Sequence, residues 1–168
     1  VYLLTTDPNA IDFGHVALRA RVDERLGRPV HVYRPLPFVE HSGFSETVRE
    51  EIALVLANAP VSEPPLRGFD AFVEAWELRP HLDRRVLDLS GGWRKYLGVA
   101  LFLNRPLPAR LMLDTTSHLS DARMRTIVSL AADLGDTVLC EYDPQLVRRL
   151  ATDDAHGLPP LVEWVDTP

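Results

Sequence analysis

Leu89-Ser90-Gly91-Gly92-Trp93, running on into Arg94-Lys95-Tyr96-Leu97-Gly98-Val99-Ala100-Leu101, is the stretch on which the fold of this chain turns. A serine that opens a run with apolar residues at 93, 96, 97, 100 and 101 marks a helix N-terminus, with Ser90 as its cap and an apolar stripe behind it. Two glycines in the first turn weaken a helix, and their main use is to let a ligand approach the backbone. Such an end presents free amide groups and the positive end of the helix dipole, so an anion, phosphate above all, is its natural guest. The alternative is an ordinary capped helix packed through small residues.

Around this stretch lie 168 residues, enough for one domain, or one core with a lobe inserted, and for a real hydrophobic interior. The formal net charge of -6 argues against nucleic acid or a polybasic membrane contact as the main partner. No apolar run is long enough to span a bilayer and no signal peptide is visible, so the expectation is a cytoplasmic protein with no direct membrane insertion. The single cysteine, Cys140, excludes an internal disulfide and a cysteine-based metal cluster within the sequence. It sits in an apolar run and reads as inert core rather than as a nucleophile.

Upstream, Val1 to Thr5 reads as a short buried strand, followed by the turn Asp7-Pro8-Asn9, a helix from about Gly14 to Leu26, and a strand from Val30 to Tyr33. Gly27-Arg28-Pro29 stops the helix, and strand, helix, strand is the unit of a parallel sheet. From Arg34 to about Asp88 the texture changes to helices between proline loops. Thr47-Val48-Arg49-Glu50 is a capping box leading into a helix over Glu51 to Ala57, and a second helix covers Phe69 to Leu78, ended by Arg79-Pro80. After the loop Arg105 to Pro108 the alternation returns. Leu111 to Leu113 is a buried strand, Asp121 to Leu134 an amphipathic helix, Thr137 to Cys140 a second buried strand, Asp143 to Leu150 a helix and Leu161 to Val165 a last short strand. The expected architecture is a three-layer α/β domain spanning 1–168, with a mostly parallel core sheet from 1–34 and 105–168 and a helical lobe, 35–104, inserted into it.

The strand Leu111-Met112-Leu113 delivers Asp114 to its C-terminal end, the edge where ligands bind in open α/β sheets. A carboxylate there is typically used to hold Mg²⁺, so Asp114 is the candidate metal ligand; the alternative is a turn or capping aspartate. Leu87-Asp88-Leu89-Ser90-Gly91-Gly92-Trp93 followed by Leu111-Met112-Leu113-Asp114 resembles the signature helix and Walker B strand of ABC-type ATPases. Phe44 to Ile52 resembles the segment after the Q-loop in that family, Thr116 to Ser120 its D-loop, and Thr137 to Asp143 its switch strand. The resemblance covers nearly the whole chain in the family's order and implies a P-loop-NTPase-like fold.

Departures from the family pattern bear on function. The phosphate loop requires Gly-x-x-x-x-Gly-Lys-Ser/Thr, whose amides and ammonium neutralise the β- and γ-phosphates. Its place reads Asp7-Pro8-Asn9-Ala10-Ile11-Asp12-Phe13-Gly14-His15, with Asp7 and Asp12 for the glycines, Phe13 for the lysine and Gly14 for the hydroxyl residue. At an effective dielectric near 20, a like-charge pair about 4 Å apart costs on the order of 4 kcal/mol, so this loop is not expected to hold ATP. Thr115 stands where the catalytic glutamate belongs, with one residue missing before the D-loop, and Tyr142 stands where the switch histidine belongs. The phenol of Tyr142 cannot become a cation near neutral pH. No Q-loop glutamine lies near Arg34-Pro35, and with six residues before Asp7 the family's adenine-stacking aromatic has no counterpart in the sequence.

The resemblance therefore implies a pseudo-ATPase that works by association. In the family, two nucleotide-binding domains pair head to tail and the signature of one closes on ATP held by the other. Ser90, Gly91 and Gly92 would then meet ATP and Mg²⁺ only in trans, on an ABC-type ATPase partner subunit or in a homodimer. The other reading is an enzyme that reuses the fold for chemistry without ATP. Its candidate site is the polar cluster of His15, His118, Glu141 and Tyr142, with Asp7, Asp12 and Asp114, since such groups ligate metals or act as acid and base. Against it stands the plainer alternative of surface turn residues. Ser90 and Ser117 have no readable triad, and Trp76, Trp93 and Trp164 read as packing residues.

Overall fold

The computed structural model describes residues 2–5, 15–35, 42–141, 143, 145 and 162–164. They belong to two compact units, one formed by Val1–Arg34 with Leu107–Pro168 and the other by Pro35–Pro106.

The first unit contains the strands β1 (Tyr2–Thr5), β2 (His31–Tyr33), β3 (Ala109–Leu113), β4 (Asp136–Glu141) and β5 (Val162–Trp164). Among the described residues they form one sheet in the order β2-β3-β4-β1-β5, and every neighbouring pair is parallel. All of β3 and all but the first residue of β4 are buried. Parallel strands are covered on both faces, so these two read in sequence as short continuous apolar runs rather than as an alternation. The register sets Leu111 beside Val138 and Leu113 beside Cys140, with Leu4 and Thr5 on the other flank of β4 beside Cys140 and Glu141.

Helix α1 (His15–Leu26) lays Leu18 and Val22 on the sheet face formed by Leu4, Ala109, Leu111, Leu113, Val138 and Cys140. Gly27 ends it in the left-handed region at φ +65, where a side chain would be strained. The Asp23 carboxylate then accepts the Val30 amide at 2.6 Å and fixes the entry into β2. On β3 the alternate residues Arg110 and Met112 point away from α1. Arg110, buried, donates from its guanidinium to the Leu134 carbonyl at 2.9 Å, just beyond helix α5 (Asp121–Ala132). That helix stops two residues short of the expected Leu134 and buries Met124, Ile127, Val128 and Ala131.

The second unit carries α2 (Val48–Ala57), α3 (Phe69–Ala75) and α4 (Gly91–Leu103), with short 3-10 turns at Arg79–His81 and Val86–Asp88. The capping box forms as expected. Thr47 Oγ1 accepts from the Glu50 amide at 3.2 Å, and the Glu50 carboxylate accepts from the amides of Glu46 and Thr47 at 2.8 and 3.0 Å. The helix starts directly after Thr47, at Val48.

Helix α3 corrects the expectation of a helix through Leu78. It ends at Ala75 because Glu77 turns left-handed at φ +53, so that the Leu78 amide bonds to the Val73 carbonyl at 3.0 Å and the Glu77 amide to Glu74 at 3.1 Å. This is a Schellman closure. Around it Phe72, Trp76, Tyr96 and Leu97 are buried, with Trp76 and Trp93 each edge-on to Tyr96 at centroid distances of 5.4 and 5.6 Å. At the far end of α4, buried Asn104 exchanges hydrogen bonds with the backbone of Arg67, both at 2.9 Å, and closes the loop that precedes α3.

Of the expected helix over 143–150 the described residues include only Asp143 and Gln145, and the rest of it lies outside them.

Candidate functional site

In the second unit, the 3-10 turn Val86–Asp88 brings the chain to Leu89, which is buried and extended, and Ser90 follows as the N-cap of α4. Ser90 Oγ accepts from the Trp93 amide at 3.4 Å, and its carbonyl accepts from Arg94 at 2.9 Å, while the residue itself is exposed. The amides of Gly91 and Gly92 belong to the first turn, which has no intrahelical acceptor for its N–H groups. A Cβ built on Gly91 would meet no atom of the chain within 4 Å, and its φ is not left-handed. Neither packing nor backbone conformation within this chain requires glycine there. Next to it Trp93 packs against His81, with ring centroids 3.9 Å apart, and against Tyr96.

In the first unit, Asp114, Glu141 and Thr5 stand at the C-terminal ends of three adjacent strands, in the order β3, β4, β1. Asp114 follows β3 at φ +50, half-buried, and its amide donates to the Cys140 carbonyl at 2.8 Å. Glu141 is the last residue of β4 and is only 1% exposed. Its Oε1 accepts from the amides of Thr115 and Thr116, both at 3.0 Å, and from Thr115 Oγ1 at 3.1 Å. His118 is exposed and also left-handed, at φ +62, in the loop that leads to α5. His15 is the first residue of α1. Asp7, Asp12 and Tyr142 lie outside the described residues.

The sheet edge thus brings Asp114 and Glu141 to neighbouring strand ends. Among the described residues, no group of three or more His, Cys, Asp or Glu side chains is placed to hold a metal ion. Cys140 is fully buried inside β4, as its apolar surroundings in the sequence suggest.

Sequence spacing gives little sign of two features of the second unit. Glu51, 2% exposed on α2, accepts from the Ser42 amide at 2.7 Å, from Ser42 Oγ at 2.6 Å and from Ser45 Oγ. It pins a short loop whose tip, Phe44, is 92% exposed. Beside that loop opens a largely apolar concavity of about 660 Å³, bordered by Phe44, Leu54, Pro60, Pro65, Leu101 and Pro106. The one readable signal is the apolar Phe44 set among glycine and serines in Ser42-Gly43-Phe44-Ser45.

No family model matches the sequence, and no curated protein matches it. The fold, in contrast, has solved counterparts, and it is that of ABC-type ATPase nucleotide-binding domains. An ABC transporter ATP-binding protein from Pyrococcus furiosus superposes over 96% of this chain and 83% of its own, at a TM-score of 0.61 and 12% identity. An ATP-binding cassette in a dimeric post-hydrolysis state, bound to ADP and Pi, matches over 88% of this chain and 77% of its own, at a TM-score of 0.59 and 15% identity. A metal-chelate type ABC transporter in an inward-facing conformation matches over 87% of this chain at a TM-score of 0.54 and 21% identity, and the chain spans 64% of that protein's length. No helix among the described residues is long and apolar enough to cross a membrane.

Proposed function

We propose that this chain is a pseudo-ATPase of the ABC fold: a cytoplasmic, three-layer nucleotide-binding-domain-like protein that does not hydrolyse ATP by itself and acts by association. In this reading Ser90, Gly91 and Gly92 are presented to the phosphates of ATP and Mg²⁺ held on an ABC-type ATPase partner. The observation that carries it is the state of the α4 N-terminus. Ser90 is exposed, and Gly91 leaves open space where a Cβ would stand. Glycine weakens a helix relative to alanine, by about 0.5–1 kcal/mol in the interior and by less at the first position, so a glycine that its own chain does not need is best explained by something that approaches from outside. One solved counterpart is dimeric and bound to ADP and Pi, which supports pairing as the mode of action.

The sequence of the phosphate loop supports the other half of the reading. Asp7 and Asp12 replace glycines and Phe13 replaces the lysine, so the chain's own loop offers a triphosphate repulsion instead of neutralisation. Asp114 would hold Mg²⁺ only if such a nucleotide were present.

Calorimetry of the chain with Mg-ATP tests this, paired with the ATPase rate of a competent ABC-type ATPase measured in its presence. The chain alone is expected to show no tight binding and no turnover. Added to the competent ATPase it is expected to alter the rate, and Ser90→Ala to abolish that effect. Sub-micromolar affinity of the isolated chain for Mg-ATP would overturn the reading.

A further inference from the structure

Glu141 has no part in the reading above, and its surroundings stand on their own. Asp114 leaves β3 in the left-handed region, which is uncommon for a residue other than glycine. The turn aims the next two N–H groups at a single point, and both Thr115 and Thr116 donate to Glu141 Oε1 at 3.0 Å. Successive amides that converge beside a left-handed residue form a nest, the backbone device that binds anions at many phosphate sites. Here the Thr115 hydroxyl adds a third donor to the same oxygen, at 3.1 Å.

All three residues are removed from water: Thr115 and Thr116 are 0% exposed and Glu141 is 1% exposed. A carboxylate in such a place is stabilised by charge-assisted bonds that exceed neutral ones, and the low local dielectric strengthens them further. The amide of Asp114 donates to Cys140, the residue before Glu141, so one backbone bond between β3 and β4 sets nest and carboxylate face to face.

We propose that the turn Asp114 to Thr116 is an anion nest, that Glu141 is its resident anion, and that this side chain closes the C-terminal edge of β3 to any other small oxyanion. The chain supplies from β4 the negative charge that an external ligand would otherwise bring. The inference rests on the geometry of the first unit alone and is independent of any donation to a partner through Ser90.

Formate, which has the charge and shape of the missing group, is the probe. The full chain is labelled with ¹⁵N, and the amide resonances of Thr115 and Thr116 are followed during titration with sodium formate, with sodium chloride at equal ionic strength as control. In the wild type these resonances are expected to stay in place. In Glu141→Ala they are expected to shift saturably with formate and not with chloride, and the melting temperature to rise in parallel. A folded Glu141→Ala whose amides ignore formate would overturn the proposal, as would a wild type that responds like the variant.

If Glu141→Ala does not fold, Glu141→Gln decides. It keeps the size and the accepting oxygen and loses the charge. Hydrogen exchange at Thr115 and Thr116 is then expected to accelerate about tenfold, the difference between a charge-assisted and a neutral bond. Unchanged exchange would mean that a carbonyl oxygen serves as well as an anion, and the nest would have no resident charge.

Discussion

Glu50 shows what a single carboxylate does at a helix end in this chain. The backbone amide of Thr47 and then that of Glu46 hold its carboxyl below its ordinary value, with the Thr47 side chain adding to the effect. A carboxyl depressed in the folded state contributes stability above its unfolded pKa and loses it as pH falls through the folded one. Glu50→Gln keeps the acceptor and removes the charge. The wild type is therefore expected to be the more stable of the two near neutral pH, and the difference to fade as pH drops below 4.5, the ordinary value. Thermal melts of both proteins across that range check it, and a difference that grows in acid would contradict the assignment. The capping box was legible because it is local, four consecutive residues whose side chains answer their own backbone. The next residue, Glu51, was not. Its burial depends on Ser42 and Ser45 folding back over α2, and no spacing rule ties a helical glutamate to serines six and nine positions before it. Glu141 is a stronger case, since its three donors come from a turn 25 and 26 positions away.

At the scale of elements, α4 was readable in its cap and only in part in its stripe. Ser90 caps it and Tyr96, Leu97 and Ala100 are buried as the spacing requires, but Trp93 and Leu101 are only half-buried while Lys95, Gly98, Val99, Phe102 and Leu103 are buried too, so the helix is enclosed on more than one side. Gly91 is where stability and function are expected to part. Since a Cβ methyl there meets nothing within 4 Å beyond its own turn of helix, Gly91→Ala should stabilise the protein to urea, by less than the roughly 0.5–1 kcal/mol of a helix interior because Gly91 is the first helical residue. The same methyl would lie in the path of a partner's nucleotide, so the variant should lose the effect on the partner's ATPase rate. A variant that is stabilised and keeps that effect would remove Gly91 from the proposed contact. The end of α3 was not readable, for a plain reason. A Schellman closure is normally announced by glycine, and here Glu77 takes the left-handed position, leaving only the proline at 80 as an apparent stop.

The whole molecule combines a parallel sheet, visible in the sequence through its continuous apolar strands, with a strand order that the sequence does not show. Parallel pairing follows from strands separated by helices; which strand lies beside which depends on contacts far apart in the chain. The pseudo-ATPase reading has its own consequence at this scale. Two copies paired head to tail would each offer a signature to a loop carrying Asp7 and Asp12, so Mg-ATP has nothing to bridge between them. Sedimentation of the isolated chain should give the same mass with and without Mg-ATP, and a nucleotide-dependent dimer of this chain would contradict the account of that loop.

The position of β1 also bears on how the protein comes into being. Its two partners in the sheet are β4 and β5, with Tyr2 set against Val138 and Val162. β1 lies far from both of these neighbours along the chain. Closing so long a loop carries an entropic cost that local contacts do not repay, and pairings of this kind form slowly. The second unit, by contrast, is a compact unit of consecutive residues, 35–106. Residues 35–106 are made before residues 136–141, so the helical unit can acquire its core while β1 still lacks β4, leaving an exposed apolar segment for which a chaperone is the natural interim partner.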